Sequence, residues 1–135
     1  MLCLVRMKEP RSLKKSKLKN GLFSEDVALK WLLVEDPDLV VLARNYRKKT
    51  GEIDIIVTDK NKNEIIFIEV RSRLNCSWIS PLESIGYKKR LKIKKTAHLF
   101  LCEYEEGKKD CSYISIRFDV VEVSGNEVTW IQDAF

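Results

Sequence analysis

At 135 residues, with 44% hydrophobic and 33% charged residues, the chain has the length of one domain and can bury a core without disulfide or metal staples. That composition excludes a disordered or collagen-like chain. No apolar run approaches the ~20 residues of a membrane helix, and the net charge of +5 is concentrated at one end: residues 1–20 hold seven Lys or Arg and one Glu, a net +6, while the other 115 hold 18 and 19, a net −1.

The basic stretch, with Arg6, Lys8, Arg11, Lys14, Lys15, Lys17 and Lys19, reads as a flexible arm over residues 1–20 that can hold phosphates without reading bases. A solubilising extension, or an upstream start with Met7 as the true first residue, fits equally well. Residues 1–5 are apolar but too short for a secretory signal and are followed by charge, so a cytoplasmic location with no membrane association is expected. Cys3, Cys76, Cys102 and Cys111 have neither C-x-x-C spacing nor a histidine cluster, which argues against zinc and for reduced thiols. With His98 as the single histidine and no G-x-S-x-G, a serine-type hydrolase is not expected.

The folded part is expected over residues 21–135. Val27, Ala28, Trp31 and Leu32 recur at helical spacing and predict a helix over 21–34, capped by Asn20 or Ser24 and ended by Asp36-Pro37. A short buried strand follows over 39–45, then a basic loop over 46–50 closed by Gly51. Two β-branched runs, 53–58 and 65–70, flank the polar loop 59–64 and read as a hairpin. Residues 74–86 lack periodicity and contain Pro81, which predicts a loop, with Trp78 and Ile79 as a dimer contact or a strand-stacking element. A second helix is expected over 87–106 with Ile93, Ala97, Leu101 and Tyr104 inward, and Gly107 as its stop. Strands over 114–123 and 128–132 close the chain. The order αβββαββ describes an α/β domain, a mixed β-sheet flanked by helices.

If the 59–64 loop is symmetric, residues whose numbers sum to 123 face each other, and Asp54 lies opposite Glu69. Both acids sit inside apolar strands, where an unpaired carboxylate is costly. A divalent cation such as Mg²⁺ or Mn²⁺ neutralises such a pair, being a hard ion that takes oxygen ligands. The strand period puts Arg71 on the face of Glu69, where it can stabilise a phosphoryl transition state or simply form an ion-pair cluster with both acids. Glu25 projects from the inward face of the first helix at i, i+3, i+7 with Ala28 and Leu32, as a third acid or as a residue favoured there by the helix macrodipole. Lys89 precedes Ile93, Ala97 and Leu101 at four-residue steps and can reach the same sheet end. Lys88, Arg90 and Lys92 form part of the densest basic run in the folded region and, with Arg73 and Lys48, are the expected phosphate contacts; the same run also reads as a solvated helix face.

Gly51-Glu52-Ile53-Asp54-Ile55-Ile56, Phe67-Ile68-Glu69-Val70-Arg71, Arg117-Phe118-Asp119-Val120-Val121 and the ending Ala134-Phe135 resemble the YraN family of small bacterial proteins from about Gly21 onward. That family is similar in fold to the restriction-endonuclease-like PD-(D/E)xK nucleases, Holliday-junction resolvases among them. The resemblance implies Asp54 and Glu69 as metal ligands, Glu25 as a helix-borne acid, Lys89 as a matching lysine of the second helix and Asp119 as a structural acid. It leaves the role of Glu52 open. Arg71 stands where the nuclease motif has lysine, and an arginine is always protonated and cannot act as a general base. The leading expectation is a Mg²⁺- or Mn²⁺-dependent endonuclease on branched or single-stranded DNA, with a homodimer suggested by the symmetry of resolvases. The alternatives are a non-catalytic nucleic-acid-binding module of the same fold and a protein-interaction scaffold.

Overall fold

The computed structural model describes residues 2–6, 20–73, 85–105 and 114–135, with side chains from Phe23 onward. The elements in chain order are β1 (Leu2–Arg6), α1 (Asn20–Glu35), β2 (Leu39–Lys48), β3 (Gly51–Asp59), β4 (Glu64–Arg73), α2 (Tyr87–Glu105), β5 (Ser115–Ser124) and β6 (Glu127–Ile131). From Asn20 onward this is the expected order αβββαββ. The addition is β1: residues 2–6 of the expected flexible arm form a strand that pairs antiparallel with β6 along Leu2–Arg6. The rest of that arm, residues 7–19, lies outside the described residues, as do most of the expected 74–86 loop and the helix stop at Gly107.

The six strands run in the order β1-β6-β5-β4-β3-β2. β4 is central. It pairs antiparallel with β3 and parallel with β5, and every other neighbouring pair is antiparallel. A parallel pair requires a crossover, and α2 supplies it between β4 and β5. Because helices cover both faces, the middle of β4 reads as an unbroken buried run, Ile65-Ile66-Phe67-Ile68, each at most 1% exposed. Ala28, Trp31 and Leu32 of α1 pack on Ile55, Val57, Ile66 and Ile68, with Trp130 edge-on to Trp31 at 6.4 Å. On the other face Ile93, Ala97 and Phe100 of α2 pack on Ile53, Ile56, Ile65 and Phe67. Phe100 carries weight expected of Leu101, which is only partly buried, because the helix turns its 93–96–97–100 stripe inward.

The β3–β4 hairpin has the predicted register: Ile55 faces Ile68 and Asp59 faces Glu64. Its turn is held by the Asp59 carboxylate, which accepts from the Asn61 N–H at 2.8 Å and pairs with Lys62 at 3.0 Å, while Asn63 takes the positive φ that asparagine tolerates. β2 is longer than expected. It absorbs Tyr46–Lys48 of the predicted loop, leaving a tight turn at Lys49-Thr50. The C-terminal Ala134-Phe135 has a packing role, as the Ala134 N–H donates to the Phe118 carbonyl at 2.7 Å and the Phe135 ring stacks on Phe118 at 5.4 Å.

Candidate functional site

The hairpin ladder ends one residue short of the acids. Beyond Ile55 and Ile68 the strands no longer pair residue to residue, and the Asp54 carboxylate instead accepts a hydrogen bond from the Val70 N–H at 2.8 Å. β3 is irregular here. Ile53 packs with the α2-side cluster although Ile55, two residues on, packs with the α1 side, so the strand's alternation breaks at Asp54. Opposite Asp54, Asn45 of β2 has a φ of 49°, a left-handed conformation inside a strand. At this distortion Asp54 and Glu69 line a gap between the strand ends and α2.

The gap is a pocket of about 370 Å³ lined by Gly51, Glu52, Asp54 and Glu69 from the strands and Lys88, Lys89, Lys92 and Ile93 from α2. Gly51 allows α2 to come this close: a Cβ there would lie 3.2 Å from Thr96 Oγ1 and 3.3 Å from Lys92 Cβ, and its φ of 154° disfavours side chains. Thr50 and Thr96 hydroxyls hydrogen-bond at 2.8 Å beside it and fix the approach.

Burial pushes the Asp54 carboxyl up to about 6, with the Glu69 charge as the next cause; the Val70 N–H and the Lys89 ammonium pull the other way. Glu69 is 4% exposed. Its Oε1 is in direct contact with the Lys89 ammonium, and Arg71 Nε lies 3.6 Å from the same oxygen. Glu25 reaches the site from α1: burial raises its carboxyl, and Asp54 and Glu52 add to the rise, against a hydrogen bond from the Asn45 side chain. Its Oε2 is buried without a hydrogen-bond partner. Glu52 pairs with Arg47 at 2.9 Å and lines the pocket, which gives it the place in the site that the sequence left open.

Among the described residues no three His, Cys, Asp or Glu side chains form a group that could hold a metal ion, so Asp54, Glu69 and Glu25 do not make a ready three-acid cage. The donor set nevertheless fits a hard divalent cation, which commonly takes one or two carboxylates and fills its sphere with water and phosphate. The mutual repulsion of Asp54 and Glu69 is what such an ion would relieve, while Glu25, whose Oε2 is buried without a hydrogen-bond partner, is not among the residues lining the pocket.

The expected phosphate contacts divide. Lys88 and Lys92 line the pocket. Arg90 is engaged in structure, its Nε donating to the Ile85 carbonyl at 2.9 Å and its guanidinium resting over the Phe135 ring. Arg73 pairs with Glu122 at 3.0 Å, and Lys48 pairs with Glu103, which also accepts from the Tyr46 hydroxyl at 2.8 Å. Asp119 is fully buried and receives four donors: Arg117 Nε and Nη2, Trp130 Nε1 and the Asp133 N–H, at 2.8 to 3.0 Å. It ties β5 to β6 and the C-terminal segment. Sequence reasoning missed Asn45, whose one signal was an asparagine interrupting a strand of β-branched and apolar residues.

The fold is an α/β domain, a mixed sheet flanked by helices, with a carboxylate and lysine pocket at the end of its central hairpin. Residues 24–123 match the model of the uncharacterised protein family UPF0102. Similar proteins include a UPF0102 protein of Legionella pneumophila (strain Corby), 37% identical over 85% of this chain and 92% of the relative. A UPF0102 protein of Clostridioides difficile (strain 630) is 44% identical over 76% and 82% of the two chains, and one of Sulfurihydrogenibium sp. (strain YO3AOP1) is 42% identical over 88% and 96%. The chain belongs to the UPF0102 family, the YraN family that its motifs resemble. Among the described residues no helix is long and apolar enough to cross a membrane.

Proposed function

We propose that the protein is a cytoplasmic Mg²⁺- or Mn²⁺-dependent endonuclease acting on branched or single-stranded DNA. The observation that supports this most directly is the convergence of Asp54 and Glu69 with Lys88, Lys89 and Lys92 around one pocket. Oxygen ligands and phosphate-binding cations then stand side by side, as phosphodiester hydrolysis needs.

In this reading Asp54 and Glu69 hold the cation, with Glu25 contributing from α1. A divalent cation bound there would supply Lewis acidity for phosphodiester hydrolysis. Lys88 and Lys92 bind backbone phosphates and orient the strand across the pocket mouth. Arg71, fixed in charge, offsets negative charge that develops on the phosphoryl oxygens. The basic stretch within residues 1–20 adds sequence-independent attraction to DNA, and a homodimer would place two such pockets on the two strands of a junction.

The Lys89–Glu69 contact favours a second reading, a DNA-binding module without catalysis, because it satisfies Glu69 with no metal at all. Cleavage of labelled four-way-junction, flap and single-stranded DNA with Mg²⁺ or Mn²⁺ separates the two. Metal-dependent cutting that Asp54→Ala and Glu69→Ala both abolish supports the nuclease. Salt-dependent binding without cutting, unaffected by either substitution, hands the function to the binding module.

A further inference from the structure

We propose that Lys89 is a resident counter-ion that a divalent cation displaces from Glu69, so that metal entry releases the ammonium toward a substrate phosphate and makes metal and DNA binding mutually reinforcing. The inference rests on the nuclease reading and adds a regulation of the same pocket.

Three observations carry it. Glu69 is nearly sealed at 4% exposure, and its Oε1 is the oxygen that Lys89 contacts and Arg71 approaches to 3.6 Å. A divalent ion at contact distance from that oxygen and an ammonium on it are two cations competing for one anionic charge, so each weakens the other's hold. Second, Lys89 can leave: its side chain is 44% exposed and rises from the first turn of α2, so its flexible stem carries the charged head to the pocket mouth without disturbing the helix. Arg71, 31% exposed on β4, stays beside Glu69. Third, the mouth is where a phosphate would arrive, since Lys88 and Lys92 flank it on the same helix. A released Lys89 completes a set of three cations there.

The consequence is thermodynamic. Without DNA, the cation competes with Lys89 and binds weakly. With DNA, a phosphate captures the freed ammonium, and linkage requires that DNA raise metal affinity by the same factor by which metal raises DNA affinity. A pocket built this way holds little metal until substrate is present.

The test is Mn²⁺ binding by calorimetry on the full chain without DNA, comparing wild type with Lys89→Met, Lys88→Met and Glu69→Gln. Labelled four-way-junction anisotropy is then measured with and without Ca²⁺. Removing the competitor should tighten Mn²⁺ binding about twofold to fivefold in Lys89→Met, the scale of one part-exposed ion pair. Lys88→Met, with the same charge change and no contact to Glu69, should move it much less, and Glu69→Gln should lose binding. The gain in junction affinity on adding Ca²⁺ should shrink in Lys89→Met. Unchanged or weaker Mn²⁺ binding in Lys89→Met, with Glu69→Gln still defective, overturns the exchange while leaving the metal site standing. Equal tightening in Lys88→Met and Lys89→Met overturns it as well, reducing it to a general charge effect. No Mn²⁺ binding by wild type or Lys89→Met removes the metal reading and this proposal together.

Discussion

The Asp54 carboxylate accepts the Val70 N–H at 2.8 Å, at the place where the β3–β4 ladder stops pairing. A side chain thus substitutes for a main-chain acceptor, which anchors the acid beside the pocket that Glu69 and Lys89 share.

Asp54 should cost stability when ionised. Its folded carboxyl is raised from 3.8 to about 6, so only well below pH 3.8 are both folded and unfolded states protonated and the cost absent. As pH rises from about 4 to 6 the unfolded chain ionises first, and the folded state loses relative stability until the cost is complete above pH 6. Asp54→Asn keeps an oxygen for the Val70 N–H. It should therefore stabilise the metal-free protein by about 1–3 kcal/mol at pH 7.5 and by almost nothing at pH 3.5. Urea denaturation at the two pH values checks this; equal effects at both would show that the buried charge is not the cause.

Gly51→Ala should destabilise by about 1–3 kcal/mol, because the new Cβ meets Thr96 and Lys92 at 3.2–3.3 Å on a backbone that disfavours it. Gly86→Ala has open space within 4 Å and should shift stability by less than ~0.5 kcal/mol. Thermal midpoints of the two variants, measured side by side, decide whether close helix approach at Gly51 matters.

Asp119→Ala should be among the most damaging single changes, at about 3–5 kcal/mol, since it leaves the part-buried Arg117 with Glu64 as its remaining carboxylate and the Trp130 and Asp133 donors unmatched. Denaturant midpoints measure the loss. A mild effect would mean that water replaces the carboxylate and that the β5–β6 tie is not tight.

Lys88→Ala and Lys92→Ala should each weaken DNA binding across all sequences and lower the slope of log affinity against log salt by about 1. Arg90→Ala should act chiefly on stability, because its side chain serves Ile85 and Phe135. Salt titrations of duplex and junction binding distinguish the two behaviours, and an Arg90→Ala slope change as large as that of Lys88→Ala would contradict the assignment.

Much of this molecule was determined by local pattern. The β-branched runs made β3 and β4, their short polar loop set the register from Asp59–Glu64 to Ile55–Ile68, one residue short of Asp54 and Glu69, and the four-residue steps of α2 pointed Lys89 at the same sheet end. These follow because side-chain period and turn length act over a few residues and are written directly in the chain. What only the tertiary structure decided is nonlocal: the pairing of β1 with β6, the parallel seam between β4 and β5, and the break in alternation at Asp54 opposite Asn45. The same holds for the division of the cations, with Lys89 on Glu69 while Arg73 and Lys48 are drawn off by Glu122 and Glu103. Those outcomes depend on which distant groups burial brings within a few ångströms of one another, and charge pairing across elements has no period that a sequence can display.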